Sequence, residues 1–162
     1  MIIKGIIDED FLQYQKPSLF IITPICKCFK CEKEANCPGM CQNSRLAKEQ
    51  NIEVSYDTII NRFLTNDITE AVVFGGLEPF DSWNDLYNFI QKFRKQSDDD
   101  VVIYTGYYKN EIEDYVSQLK QFPNIIVKFG RYIPNQKPHL DPILGINLAS
   151  DNQYAERISD EN

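Results

Sequence analysis

The five cysteines of the chain, Cys26, Cys28, Cys31, Cys37 and Cys41, all fall in CKCFKCEKEANCPGMC. Thiolates are soft ligands, and several on one short segment suit zinc or an iron–sulfur cluster. In a reducing compartment, an odd number of clustered cysteines points to metal binding before disulfides. A structural zinc site would draw on Cys28, Cys31, Cys37 and Cys41, with gaps of two, five and three residues. Zinc ribbons leave about a dozen or more residues between their cysteine pairs, so that spacing is short. Closely spaced thiolates on a flexible loop suit a compact 4Fe-4S cluster better. Such a cluster takes at most four thiolates, and only three where one iron must receive a substrate.

A second candidate constellation is FGGLEPFD, from Phe74 to Asp81. Glycines after a strand let a ligand approach the backbone, and a carboxylate beside them can hold an ammonium group. Gly75, Gly76 and Glu78 are therefore candidate binding residues. The plain alternative is a turn, with Glu78–Pro79 opening a helix. YTGY supplies Thr105 and Gly106, and LASDNQ supplies Asn152 and Gln153; each also reads as a turn or as surface polar residues. His139 is the lone histidine, in the proline-rich NQKPHLDP, which leaves no Ser-His-Asp triad and no histidine-based zinc hydrolase site.

These segments need a scaffold, and the pattern predicts one. Strands are expected at SLFIITP (Ser18–Pro24), EAVVFGG (Glu70–Gly76), VVIYTGY and NIIVKFG, with PILGINLAS a fifth strand or an edge piece. Between them lie helical patterns: a short one at NSRLAKEQ, VSYDTIINRFL with Ser55 as N-cap, a long one from Trp83 to Phe93 capped by Asp81 or Ser82, and NEIEDYVSQLK. The acidic run Asp98–Asp100 reads as a solvated loop. Alternation of strand and helix implies an α/β fold with a mainly parallel sheet, whose functional residues gather at the carboxyl ends of the strands. The cysteines, Gly75–Gly76 and Thr105–Gly106 all follow strands directly.

One domain is expected for the 162 residues, with 1–17 an N-terminal extension and 151–162 a polar tail. With 43% apolar residues the chain has material for a core, and its net charge of −7 argues against nucleic acid as the main partner. MIIKGIIDED is too short and too charged for a signal peptide, and no run spans a bilayer, so a cytoplasmic location is expected.

In order and spacing these motifs resemble the radical S-adenosylmethionine superfamily, and most of all its anaerobic ribonucleoside-triphosphate reductase activating proteins. CPGMCQN is similar to the family's CPGC-x-N, GGLEP to its GGEP, IYTGY to a TGY segment, and LASDNQ to a C-terminal small-residue and NQ motif. The likeness runs from about Ser18 to Gln153. It implies a partial (β/α) barrel and a three-cysteine loop holding a 4Fe-4S cluster, whose fourth iron binds the amino and carboxylate groups of S-adenosyl-L-methionine. It further implies that Gly75, Gly76 and Glu78 hold the methionine amino group, with Thr105, Gly106, Asn152 and Gln153 around it.

Two departures set this chain apart. The usual C-x3-C-x2-C spacing is missing: Cys37 and Cys41 are four apart, but Ser44 stands where the third cysteine belongs. The GGE motif carries an extra residue, Leu77. Cys41, just before Gln42–Asn43, matches the last family cysteine; Cys31 lies near the start of the loop, beside Phe29, and Cys26 directly ends the strand. The resemblance thus favours Cys26, Cys31 and Cys41 as ligands, with Cys28 and Cys37 as alternates. The implied reaction is reductive cleavage of S-adenosylmethionine to methionine and a 5′-deoxyadenosyl radical. That radical makes a glycyl radical on a large partner, anaerobic ribonucleotide reductase, with a flavodoxin-like protein as electron donor. The alternatives are another radical enzyme or activase of this superfamily, or a non-catalytic iron–sulfur or zinc-binding module.

Overall fold

Apolar, β-branched runs make the strands, and amphipathic segments between them make the helices. The computed structural model describes residues 1–27 and 29–159. Its strands are β1 (Ile2–Ile3), β2 (Gly5–Asp10), β3 (Ser18–Ile22), β4 (Ile52–Glu53), β5 (Ala71–Gly75), β6 (Asp100–Tyr104), β7 (Ile125–Phe129), β8 (His139–Asp141), β9 (Ile146–Leu148) and β10 (Tyr154–Arg157). Its α-helices are α1 (Lys30–Glu34), α2 (Tyr56–Leu64), α3 (Trp83–Phe93) and α4 (Glu113–Leu119).

The main sheet has six strands in the order β10-β7-β6-β5-β3-β2. Its four inner strands are parallel, and an antiparallel strand closes each edge. Parallel neighbours need a crossover, and α2, α3 and α4 supply the three that link β3, β5, β6 and β7. Because these strands lie side by side in chain order, right-handed crossovers put all three helices on one face. Leu19, Phe74 and Val127 of the sheet are buried there against Phe63, Phe89 and Phe93 of the helices. The alternate residues Val73, Val102 and Ile126 face the other way. There they meet Tyr14 and, from the β8–β9 hairpin region, Leu144 and Leu148. Among the described residues no helix is long and apolar enough to cross a membrane.

Several expectations need correction. Residues 1–17 are no appendage: β2 is the sheet's edge, β1 pairs with β4, and Ile3 and Tyr14 are buried. The polar tail is not loose through Arg157, because β10 pairs with β7 and the Ala155 amide donates to Asp141 Oδ2 at 2.8 Å. Asp100 is not solvated. It opens β6 and accepts from Tyr14 Oη at 2.9 Å, Lys16 Nζ at 2.6 Å and Arg157 at 2.9 Å. Those partners are remote in sequence, so local polarity gave no hint of them. NSRLAKEQ yields only a 3-10 turn at Leu46–Lys48. PILGINLAS does supply a strand, β9, which pairs with β8 in a separate hairpin with Gly145 at φ +70° in its turn.

Candidate iron–sulfur and cofactor site

Beyond Ile22 the chain stays beside the β5 loop. The Thr23 amide and hydroxyl both donate to Gly75 O at 2.9 Å, the Glu78 amide donates to Ile25 O at 3.0 Å, and the Lys27 amide to Asp81 Oδ2 at 2.6 Å. Cys26 is thus held against GGLEP. Further on, α1 carries Cys31, and its Glu32 Oε1 accepts from the Cys41 amide at 3.1 Å.

Cys26, Cys31 and Cys41 line one cavity of about 550 Å³ at the carboxyl ends of the parallel strands, on the face without helices. That volume is in the range of small-molecule sites, roughly 300–1,000 Å³. Cys37 is exposed and off its wall; half-buried Phe29, which enters α1 at φ 43°, is off the wall too. Cys28 lies outside the described residues.

The Cys31 thiol donates to Cys41, and this holds Cys41 down to about 6, while the same bond, aided by burial, pushes Cys31 up. Among the described residues no three His, Cys, Asp or Glu side chains converge as for a single metal ion. A cluster would draw on soft thiolates, and Cys26, Cys31 and Cys41 are the ones the cavity offers. Three half-buried thiols on one cavity, two of them in contact with each other, supply donors of that type.

Glu78 is the centre of the opposite wall. Its Oε1 accepts from the Thr105 hydroxyl at 2.8 Å and the Phe80 amide at 3.2 Å, and its Oε2 from the Gly106 amide at 2.9 Å. Burial weakens its acidity and pushes its pKa up to about 7, although all three hydrogen bonds favour the ionised form. Both readings of GGLEP therefore meet in one residue: Glu78 caps the 3-10 turn Pro79–Ser82, and it also faces the cavity with Thr105 and Gly106.

Gly76 has φ +81°, and a Cβ there would lie 2.7 Å from Ile22 Cγ2. Close packing of the β3 and β5 ends requires this glycine. The extra residue Leu77 is buried and forms part of the cavity wall.

Gln153 is buried on the cavity wall. Its Oε1 accepts from the Ala149 and Ser150 amides at 3.1 and 3.2 Å, and its amide donates to Gly130 O at 3.2 Å. Asn152 is off the wall, donating to Arg131 O at 2.9 Å. This pair clamps the turn after β7.

Sequence reasoning overlooked Lys128 and Arg131, which also line the cavity. Lys128 is buried on the same face as Ile126, its Nζ donates to Gly130 O at 2.7 Å, and burial draws its basicity down to about 7 against the pull of Glu78. The available signal was a lone charge inside the apolar run NIIVKFG.

A model of the 4Fe-4S single cluster domain matches residues 25–153. No curated protein and no solved structure matches the chain. The matched span covers most of the sequence and includes Cys26, Cys31, Cys41, Gly75–Gly76, Glu78, Thr105–Gly106 and Gln153, so the chain belongs to the 4Fe-4S single cluster domain family, one of those related to the radical S-adenosylmethionine enzymes.

Proposed function

We propose that this iron–sulfur domain protein is a radical S-adenosylmethionine activase. On this reading its open six-stranded sheet is the partial (β/α) barrel of that superfamily, and Cys26, Cys31 and Cys41 hold the cluster. The observation that carries the proposal is the meeting, on one cavity, of these three thiols with Gly75–Gly76, Glu78 and Thr105–Gly106 from the ends of neighbouring parallel strands. When bound, the 4Fe-4S cluster supplies one electron to the sulfonium of S-adenosylmethionine, yielding methionine and a carbon radical that takes a hydrogen atom from a glycine of anaerobic ribonucleotide reductase.

The chain's own residues bind and orient. An ionised carboxylate offers about four acceptor positions, and Glu78 uses three within the protein. The remaining one can take an ammonium group, which would favour the ionised form that burial opposes. Leu77, Phe20 and Tyr104 give the cavity apolar walls that exclude water. A flavodoxin-like donor supplies the electron, in the cytoplasm.

The test is anaerobic reconstitution, followed by electron paramagnetic resonance of the reduced protein with and without S-adenosylmethionine. The signal is expected to shift with S-adenosylmethionine, and addition of the reductase is expected to give a glycyl radical. A colourless zinc protein, or a cluster indifferent to S-adenosylmethionine, overturns the proposal.

A further inference from the structure

The helix that carries Cys31 has little of its own to hold it. α1 is five residues long, buries none of them, and has no side-chain cap at Phe29. So short a helix is unstable in isolation. Charged side chains fasten it to the neighbouring elements instead. Lys30 Nζ donates to Glu111 Oε1 at 2.7 Å and lies 4.8 Å from the centroid of the Tyr107 ring. Four residues on, Glu34 pairs with Arg131 at 3.0 Å. Arg131 and Glu111 join these two contacts in a two-pronged ion pair, with both hydrogen bonds at 2.7 Å.

The anchoring end of this network is more buried than the loop end. The Arg131 side chain is 4% exposed, lies over the Tyr108 ring at 4.5 Å and donates to Gly106 O at 3.0 Å. Glu111 Oε2 also accepts from the Tyr108 amide at 2.8 Å. Lys30 and Glu34 are 38% and 54% exposed. Water and salt therefore reach the two bonds that hold the loop more freely than they reach the pair behind them, of which Arg131 is buried and the Glu111 side chain 23% exposed. Arg131 belongs to the cavity wall as well, so the anchor of the loop is also part of the cofactor site.

We propose that Glu111 and Arg131 are positioning residues for Cys31, and that Lys30 and Glu34 form an ionic strap that opens to admit the cluster and closes over it. The inference rests on the cysteine loop as the cluster's seat, but its main test needs no cluster.

The full-length, reduced chain is treated with iodoacetamide before loading, and each cysteine is followed by peptide mass spectrometry. Relative to wild type, Glu111→Gln is expected to raise the modification rate of Cys31 about two- to fivefold. Cys37, already exposed, should keep its rate, and so should Cys31 in Lys92→Met, which removes an ion pair elsewhere. Raising salt from about 0.05 M to about 1 M should speed Cys31 modification in wild type and have little effect in Glu111→Gln. The urea midpoint of Glu111→Gln is expected to stay near wild type, which separates positioning from general loss of stability. A Cys31 rate insensitive to salt in wild type overturns the proposal even if Glu111→Gln fails to fold. In the loaded protein, Glu111→Gln should lose iron to a chelator several-fold faster. A chain that loads no cluster defeats the functional reading alone, since the thiol measurements stand without it.

Discussion

The Glu78 carboxylate accepts the Thr105 hydroxyl at 2.8 Å, and this bond ties the loop after β5 to the loop after β6. GGLEP and YTGY, separate motifs in the sequence, are one structural unit. Glu78 is held in place by its neighbours before any ligand arrives, which is how a binding carboxylate is preorganised.

That unit makes folding sensitive to pH. Glu78 titrates near 7 in the fold and near the usual 4.5 in the unfolded chain, so between these values the folded state binds more protons. Its contribution to stability is full below pH 4.5 and is lost as pH rises through 7, by on the order of 3 kcal/mol. Urea denaturation across this range should show wild type losing stability relative to Glu78→Gln; parallel curves would refute the assignment.

Gly76→Ala should cost about 2–4 kcal/mol, because φ is +81° and the new Cβ would meet Ile22 at 2.7 Å. Gly39 has nearly the same φ, +80°, but nothing lies within 4 Å of a Cβ there. Gly39→Ala should therefore cost only about 1 kcal/mol. Paired thermal melts check the contrast.

Asp100→Asn should destabilise by about 3 kcal/mol, since it leaves Tyr14, Lys16 and Arg157 facing a neutral amide in a buried position. Burial opposes ionisation of Asp100, yet the hydrogen bonds from Lys16, Arg157 and Tyr14 prevail and hold it below the usual carboxylate range. Its contribution is present above that range and is lost as pH falls through the lowered value. A wild-type acid transition sharper than that of the variant is the expected result.

Single alanine variants of Cys26, Cys31 and Cys41 should each lose most of the iron bound on anaerobic reconstitution. Cys37→Ala should keep it, since Cys37 is exposed and off the cavity wall. Iron content per chain is the measurement, and full loading of Cys31→Ala or Cys41→Ala would show the ligand set to be different.

Much of the fold is legible in local pattern. Periodic apolar residues locate α2 and α3, and β-branched runs locate β3, β5, β6 and β7, because burial on both faces needs continuous apolar side chains. Position after a strand was enough to gather the cysteines, the glycines and Thr105–Gly106 on one edge. The edge strands β2 and β10 were harder to see, since GIIDED and YAER are too polar to look like strands until the sheet offers them a partner.

By itself, then, the sequence determined the α/β alternation, the cysteine segment suited to an iron–sulfur cluster and the motifs that accompany it, because these depend on residue type and short spacing. Tertiary structure alone decided that Cys26, Cys31 and Cys41 share a cavity and exposed Cys37 does not, that Glu78 is locked by Thr105 and Gly106, and that Lys128 and Arg131 belong to the site. Each of those outcomes depends on contacts between residues far apart in the chain. Their strength comes from burial and charge that exist only after the sheet has assembled.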